Sequence, residues 1–415
     1  MIHYEEFTLS NGLQVLVHPD PTVQVAVLNI LYRVGSRDER PDKTGFAHLF
    51  EHLMFGGSAN IPNYDEPLQA VGGDNNAFTS PDITNYYLTV PYENIETGFW
   101  LESDRMLSLS FDPGVLDVQR KVVIEEFNQR YLNQPYGDTW LKLRPLVYQK
   151  HPYQWATIGK DPEHIRSASM EDVKDFFFRF YRPDNATLVV AGNVTTKQIK
   201  RLAEKWFGPI PPGRIERSKL VLEDYNTGKK FIEVKANVPA DAFYMTYLMP
   251  GRFESSYYAT DLLSDVLGRG DSSRLYNKLV KEKEIFTSIS SYVTGSLDPG
   301  LLVISGRLRE TVSMEQGHDE VVKIIAGLVA DGPTEKEIEK VKNLSLSSIE
   351  FDELDVLNRG MNLAFASLSG NPDLVNSERE IISKITRNQL AEEARKILVA
   401  ENSGVMYYRR FIEEV

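Results

Sequence analysis

Residues 23–57, VQVAVLNILYRVGSRDERPDKTGFAHLFEHLMFGG, contain the strand, loop and helix from which the fold can be predicted. The run Val23–Val34 is rich in valine, isoleucine and leucine, as buried β-strands are. A helix is predicted over Phe46–Phe55, with Thr44 as its capping residue and Gly56-Gly57 as its end. The stretch therefore predicts a buried strand followed, after a polar loop, by a largely apolar helix.

The second half of the chain repeats this order of elements. Residues 231–249 are strand-like, and a helix is predicted over 258–267. Between the halves, residues 208–213 contain three prolines, which indicates a linker. A unit of about 200 residues occurring twice is too long for a solenoid repeat. We therefore predict an α+β protein of two homologous domains, each a mainly antiparallel sheet with helices packed on one face. The predicted boundaries are 1–210 for the first domain, 211–230 for the linker and 231–415 for the second domain.

The composition excludes several classes of function. The chain has 415 residues, a formal net charge of −13 and no cysteine. The excess of acidic residues argues against nucleic acid as a partner, since phosphate binding depends on clustered lysine and arginine. Without cysteine, a metal can be held only by histidine and carboxylate. No secretory leader or membrane span is predicted, so we expect no membrane association and a cytoplasmic location, or a periplasmic one if a leader has been removed.

The predicted helix carries the sequence His48-Leu49-Phe50-Glu51-His52. Two histidines four residues apart project from one face of a helix and can bind the same zinc ion. Burying two imidazoles and a carboxylate in an otherwise apolar helix would be costly without a metal. The pattern H-x-x-E-H is the inverted zinc-peptidase signature. It predicts that His48 and His52 bind Zn²⁺ and that Glu51 is the catalytic general base toward the attacking water.

A catalytic zinc site needs a third protein ligand, and residues 122–126, VVIEE, offer two carboxylates. Glu126 follows Val122 by four positions and Val123 by three, which places it on the predicted apolar stripe of a helix. Glu125 falls on the polar side and is predicted to be solvated. Helical periodicity therefore favours Glu126 as the third ligand.

These residues and their spacing resemble the pitrilysin and insulinase family of zinc metallopeptidases, and in particular its half-length branch, which includes the mitochondrial processing peptidase subunits. The resemblance implies His48, His52 and Glu126 as zinc ligands and Glu51 as base. It also implies peptides or unfolded polypeptide segments as substrates. Similar stretches extend along the whole chain: Gly35–Glu39, Phe46–Gly57, Gly72–Tyr87, Arg120–Phe127, His151–Tyr153 and Asp271–Leu279.

The resemblance also implies how a substrate is held. The segment containing Asn76, Ala77 and Phe78 resembles the sheet edge on which a substrate backbone adds as an extra strand. The residues alone leave open an ordinary strand after a Gly-Gly turn, in which Asn76 bonds to local backbone. We predict Asn76, Ala77 and Phe78 as substrate-binding residues.

Two features depart from the family pattern. A glutamate usually stands seven residues before the ligating one, and here that place is Gln119. Active members also carry an arginine and a tyrosine in the second domain, where this chain has Val280 and Thr287, which cannot supply the same hydrogen bonds. We therefore predict a homologous partner subunit that keeps the pair, giving a heterodimer, or otherwise a homodimer. Other candidate donors in this chain are Arg274, Tyr276 and Tyr292.

Together these observations predict a zinc metalloendopeptidase subunit. The alternative is a non-catalytic member of the same family with a structural or peptide-binding role. A degenerate H-x-x-E-H motif would favour the alternative, and the motif is intact. A metal-dependent hydrolase of a non-peptide substrate has nothing specific in its favour.

Overall fold

The computed structural model describes residues 1–213, 217, 219–225 and 227–411. Its strands are β1 (Glu5–Thr8), β2 (Gln14–Pro19), β3 (Val25–Tyr32), β4 (Asp74–Thr79), β5 (Thr84–Pro91), β6 (Ala186–Gly192), β7 (Lys230–Ala236), β8 (Ala242–Met249), β9 (Phe286–Val293), β10 (Gly300–Leu308) and β11 (Ser403–Arg410).

Its α-helices are α1 (Phe46–Leu53), α2 (Asp65–Ala70), α3 (Ile95–Leu107), α4 (Pro113–Phe127), α5 (Thr139–Val147), α6 (Pro162–Arg166), α7 (Met170–Phe180), α8 (Thr196–Trp206), α9 (Tyr257–Gly268), α10 (Met314–Asp331), α11 (Glu335–Asp352), α12 (Val356–Ser367), α13 (Leu374–Lys384) and α14 (Arg387–Ile397). Two π-helical segments, Asn128–Leu132 and Tyr276–Glu282, follow α4 and precede β9.

Unit 1 comprises residues 1–129, 155–219 and 350–378. Its sheet has the order β1-β2-β6-β3-β5-β4, in which only β2 and β6 are parallel. The central strand β6 is buried along its whole length, whereas β4 is at the sheet edge. Helix α3 packs on one face of the sheet, against Leu28 and Leu88, and α12 packs on the other, against Leu31 and Val189.

Unit 2 comprises residues 130–154, 220–349 and 379–415. Its sheet has the order β7-β11-β8-β10-β9. One face, including Phe243 and Ile304, contributes to the main core together with α9, α10 and α14. Helix α5 packs on the opposite face, against Ala242, Tyr244 and Met406. The predicted α+β class, with sheets and packed helices in two units, is confirmed.

The units differ from the predicted halves, 1–210 and 231–415, because two segments are exchanged. Residues 130–154, which include α5, belong to unit 2, and residues 350–378, which include α12, belong to unit 1. Each exchanged helix covers part of the sheet face that the main helices of its unit leave open, so helices lie on both faces of each sheet and not, as predicted, on one face. Within the predicted linker 211–230, residues 214–216, 218 and 226 lie outside the described residues.

The start of α1 differs from the prediction that Thr44 caps it. The residue before the helix is Gly45, whose backbone is in the left-handed region at φ 90°. Glycine has no side chain that could cap the helix. Instead the buried carboxylate of Glu39 accepts the backbone N–H groups of Gly45 at 2.9 Å and Ala47 at 2.8 Å. The Thr44 hydroxyl is engaged elsewhere, with His164 Nδ1 at 2.9 Å. A carboxylate at this position also suits the positive end of the helix dipole.

Candidate metal centre

Helix α1 presents its polar side chains on one side because its apolar residues are buried on the other. Leu49, Phe50 and Leu53 are at most 5% exposed. The Phe50 ring stacks on the ring of Tyr181 at a centroid distance of 5.2 Å. His48 and His52, one turn apart, have ring centroids 4.9 Å from each other. The core packing of α1 therefore fixes which way both imidazoles point.

Helix α4 brings Glu126 to the same place. Glu126 Oε2 lies 3.6 Å from His48 Nε2 and 3.5 Å from His52 Nε2. Glu125 is exposed and accepts a hydrogen bond from Gln129 instead. Val123 is 1% exposed, as the helical periodicity predicts, but Val122 is 42% exposed and does not lie on the buried side as predicted. The buried side of α4 runs through Val123 and Phe127, and Glu126 lies at its margin.

The three side chains fit a zinc ion. One potential ligand atom of each lies within 4.8 Å of the others, and this is the one such cluster found among the described residues. Tetrahedral bonds of about 2.0–2.1 Å would separate two ligand atoms by roughly 3.3 Å. The observed histidine–glutamate distances, 3.5 and 3.6 Å, are close to that separation. The donor set of two imidazoles and one carboxylate is also that of a catalytic rather than a structural zinc site.

Glu51 is held by the edge strand of the unit 1 sheet. Its Oε2 accepts a hydrogen bond of 2.5 Å from the hydroxyl of Thr79, the last residue of β4. Along β4, Asn75, Ala77 and Thr79 are half-buried, whereas Asp74, Asn76 and Phe78 are exposed, so alternate side chains point towards α1 and away from it.

The predicted substrate-binding residues lie on this edge strand. Asn76 Oδ1 accepts a hydrogen bond of 2.8 Å from the backbone N–H of Ala77. Phe78 is 41% exposed. Ala77 is paired with Tyr86 of β5, and the Tyr86 hydroxyl donates to the Phe50 carbonyl of α1 at 3.3 Å. The strand that carries these residues is thus tied to the helix that carries Glu51.

A buried arginine supports this region and was not found by sequence reasoning. Arg105 is 1% exposed and donates two hydrogen bonds, of 2.8 and 2.6 Å, to the buried carboxylate of Glu102. Its guanidinium lies 4.4 to 5.2 Å from the ring centroids of Tyr86, Tyr64 and Phe55. Phe55 follows α1, and the Tyr86 hydroxyl donates to the Phe50 carbonyl of α1. The cluster around Arg105 therefore stabilises the position of α1. An i, i+3 Glu–Arg pair on a helix is common on protein surfaces, so the sequence did not single it out.

Val280 and Thr287, at which the resemblance implies an arginine and a tyrosine in active members, have structural contacts in this chain. Val280 packs against the core of unit 2 from a π-helical segment. Thr287 is exposed at a β-bulge between β9 and β10, and its hydroxyl donates to the Arg307 carbonyl at 3.1 Å. Arg274 donates to both carboxylate oxygens of Glu337, at 2.6 and 2.8 Å. Arg274 therefore anchors the start of α11.

Helix α9 of unit 2, which corresponds to α1 in the predicted repeat, has serine and aspartate side chains in place of the histidine motif. In α9, Ser264 is fully buried and shares a hydrogen bond of 2.9 Å with Ser291. Asp265, which is 5% exposed, accepts a hydrogen bond of 3.0 Å from Arg269. Burial raises the pKa of Asp265, against the effect of the arginine. These side chains connect α9 to its neighbours and contain no imidazole.

Comparisons with known proteins give two family matches and a set of relatives. The family model described as "Insulinase (Peptidase family M16)" matches residues 14–140, and the model "Peptidase M16 inactive domain" matches residues 167–345. The "Zinc protease PqqE" of Helicobacter pylori is 30% identical over 345 residues, which cover 82% of this chain and 78% of that protein.

Two solved structures extend the comparison. The crystal structure of a protease from Helicobacter pylori superposes with a TM-score of 0.93 at 25% identity, covering 99% of this chain and 100% of that one. The periplasmic protease PqqL from Escherichia coli has a TM-score of 0.78 at 19% identity, which is a likeness of fold, and the match covers 98% of this chain and 47% of that one.

The chain has two α+β units, and the helix that carries H-x-x-E-H lies next to a glutamate on a second helix. This motif is the signature of the inverted zinc peptidases. The chain belongs to peptidase family M16, the insulinase family, and the predicted resemblance is confirmed. Within the described residues, no helix combines the length and apolar character that crossing a bilayer requires.

Proposed function

We propose that this chain is a zinc metalloendopeptidase subunit that hydrolyses peptides or unfolded polypeptide segments. The proposal rests on the cluster formed by His48, His52 and Glu126, whose ligand atoms lie within 4.8 Å of one another. It is supported by the similarity of the chain to the zinc protease PqqE of Helicobacter pylori. A zinc ion held by these three residues would polarise a scissile carbonyl and make a water acidic.

The residues of this chain have separate roles in the proposed reaction. Glu51 takes the proton of the attacking water and passes it to the leaving amine. Thr79 holds the Glu51 carboxylate through its hydroxyl and so limits its rotation. The edge of β4, at Asn76, Ala77 and Phe78, pairs with the backbone of an extended peptide, whose carbonyl replaces Asn76 Oδ1 as the acceptor of the Ala77 N–H. Main-chain pairing gives affinity with little sequence preference, which suits unfolded segments as substrates.

The decisive experiment is peptide cleavage by the purified protein and by Glu51→Gln, with zinc measured in both. A lost general base should reduce kcat by about 10²–10⁴-fold. Because Glu51 is not one of the three ligands, zinc content should not change. Retained zinc with near-native cleavage would exclude Glu51 as the base, and lost zinc would make it part of the metal site. Glu125→Gln, on the exposed side of α4, is the matched control.

A partner subunit completes the proposal. Val280 and Thr287 stand where active family members have an arginine and a tyrosine, so this chain lacks those donors. PqqL, of which this chain spans 47%, is more than twice as long, as expected if two such halves work together. We propose a homologous subunit that carries the arginine and tyrosine, or otherwise a second copy of this chain. The competing function is non-catalytic peptide binding within such an assembly, which the "inactive domain" match over residues 167–345 favours for the second half alone.

A further inference from the structure

One face of the unit 2 sheet is open at its edge. Strand register pairs Ser288 with Arg307 and Ser290 with Ser305 across β9 and β10, so these four side chains share one face. Ser288 and Ser290 are exposed, whereas Ile289 between them is 5% exposed on the opposite face. Helix α5 covers this face at β7, β8 and β11 and at the start of β10, where Val147 packs with Leu301 and Val303, but it leaves Ser288 and Ser290 of β9 exposed. A polar strip along β9 and β10 therefore faces solvent.

Arg307 lies in this strip in an unusual environment. Its guanidinium carbon lies 3.8 Å from the ring centroid of Tyr136 and 5.5 Å from that of Tyr244. Within the described part of the chain, no carboxylate oxygen lies within 4 Å of a guanidinium nitrogen of Arg307, so Arg307 forms no ion pair there. Arg409 and Arg410, by contrast, each have a glutamate partner at 2.8 Å or less. Stacking holds the planar guanidinium in place while its N–H groups remain available to a ligand.

A further hydrogen-bond donor lies on the same face, four positions along the strand register from Arg307. Tyr292 of β9 is 40% exposed and lies across from Val303, on the same face. Burial of part of its ring raises the pKa of Tyr292 to about 12, so its hydroxyl keeps its proton at neutral pH. The β-bulge at Thr287 interrupts the ladder next to Arg307, and bulges commonly re-aim side chains next to binding sites. β9 is the last strand of the sheet, so an extended chain can add beside it.

We propose that this strip, formed by Ser288, Ser290, Tyr292, Ser305 and Arg307, binds a carboxylate group of an extended peptide, with Arg307 as the counter-ion. A carboxylate is the ligand whose geometry a fixed guanidinium matches best, through two parallel hydrogen bonds. The serine and tyrosine hydroxyls add donors without adding charge. The carboxylate is either an acidic side chain or the C-terminal group of the peptide. This inference depends on the proposed function only in taking a peptide as the ligand.

The test measures binding of fluorescein-labelled decapeptides to the full-length Glu51→Gln protein, in which cleavage is suppressed. One peptide is neutral and amidated, a second has one central glutamate and an amidated end, and a third is neutral with a free C-terminal carboxylate. Fluorescence anisotropy should give a Kd about tenfold lower for one or both carboxylate peptides than for the neutral peptide. Which of the two is preferred identifies the source of the carboxylate.

Variants separate this site from other peptide contacts. Adding Arg307→Gln should abolish the preference and leave the Kd of the neutral peptide unchanged. Arg309→Gln, which removes an exposed arginine two positions away, should keep the preference. Tyr292→Phe keeps the ring and should reduce the preference about threefold, which tests the site even if Arg307→Gln fails to fold. Equal Kd values for the three peptides, or a preference that survives Arg307→Gln, would overturn this inference alone. Absence of binding by all three would overturn it together with the proposed function.

Discussion

The hydroxyl of Thr79 donates a hydrogen bond of 2.5 Å to the carboxylate of Glu51, joining the end of an edge strand to the helix of the candidate metal centre. The bond fixes the orientation of a side chain that the proposed reaction needs in one place. It also couples the strand on which a peptide would pair to the group that would act on the attacking water.

This bond predicts the behaviour of Thr79→Val, which keeps the shape of the side chain and removes its hydroxyl. We expect zinc content to stay the same and kcat for peptide cleavage to fall about tenfold, because one neutral-to-charged hydrogen bond is lost. Thr89→Val on β5 is the matched control and should leave kcat unchanged. Equal rates for Thr79→Val and the native protein would show that the bond does not position Glu51.

The metal cluster predicts zinc content. Purified protein should hold about one zinc per chain, because one set of three ligands converges among the residues that the structure describes. His48→Ala and His52→Ala should each empty the site, and Glu126→Gln should weaken it, as measured by atomic emission after dialysis. Glu125→Gln should keep full occupancy because that side chain is exposed. The reverse result for the two glutamates would assign the third ligand to Glu125.

If Val280 and Thr287 stand in place of an arginine and a tyrosine, as the resemblance implies, the isolated chain should have weak activity. Loss of one oxyanion donor typically costs about 10²–10³ in rate. Peptide cleavage by the chain alone should therefore be slow, and adding a homologous subunit that carries the arginine and tyrosine should raise it by a similar factor. Replacing that partner's tyrosine by phenylalanine should remove the gain. Fast turnover by the homogeneous isolated chain would refute the need for a partner.

The ion pair between Arg274 and Glu337 predicts a pH-dependent contribution to stability. Burial alone would raise the pKa of Glu337, but the hydrogen bonds from Arg274 and Thr334 outweigh it and lower the pKa to about 2. Because the folded-state pKa lies below the unfolded value of 4.5, the stabilisation is present above pH 4.5 and is lost as the pH falls towards 2. Urea unfolding should show Glu337→Gln destabilised by about 1–3 kcal/mol at pH 7, with the difference shrinking below pH 4.5. Glu335→Gln, an exposed neighbour, should be near neutral at both pH values.

Local patterns in the sequence were enough for the elements of the metal site. The i, i+4 spacing of His48 and His52 depends only on helix geometry, and the Asp112 side chain caps α4 as its position before Pro113 predicts. The spacing of Thr334 and Glu337 is that of a capping box, and the two residues exchange hydrogen bonds in both directions. Each of these interactions joins residues at most four positions apart.

Interactions between distant residues could not be predicted in this way. Glu39 caps α1 from outside the helix, and Thr44, the nearer candidate, bonds to His164. The ring cluster around Arg105 brings together residues from separate helices and strands. The solvent exposure of Val122 depends on what packs against α4, which periodicity does not contain. In each of these cases tertiary packing, and not local sequence preference, determines the observed contact or exposure.

The exchange of α5 and α12 has a consequence for synthesis on the ribosome. The last segment of unit 1 ends at residue 378, about 160 residues after its preceding segment ends at residue 219. At about 5–20 residues per second, translation of this stretch takes roughly 8–30 s. Until then the sheet face that includes Leu31 and Val189 has no α12 to cover it. The nascent chain therefore exposes the sheet face that α12 later covers during most of the translation of its second half. Neither unit is complete at the end of the first half, so the chain folds as a whole rather than one unit at a time.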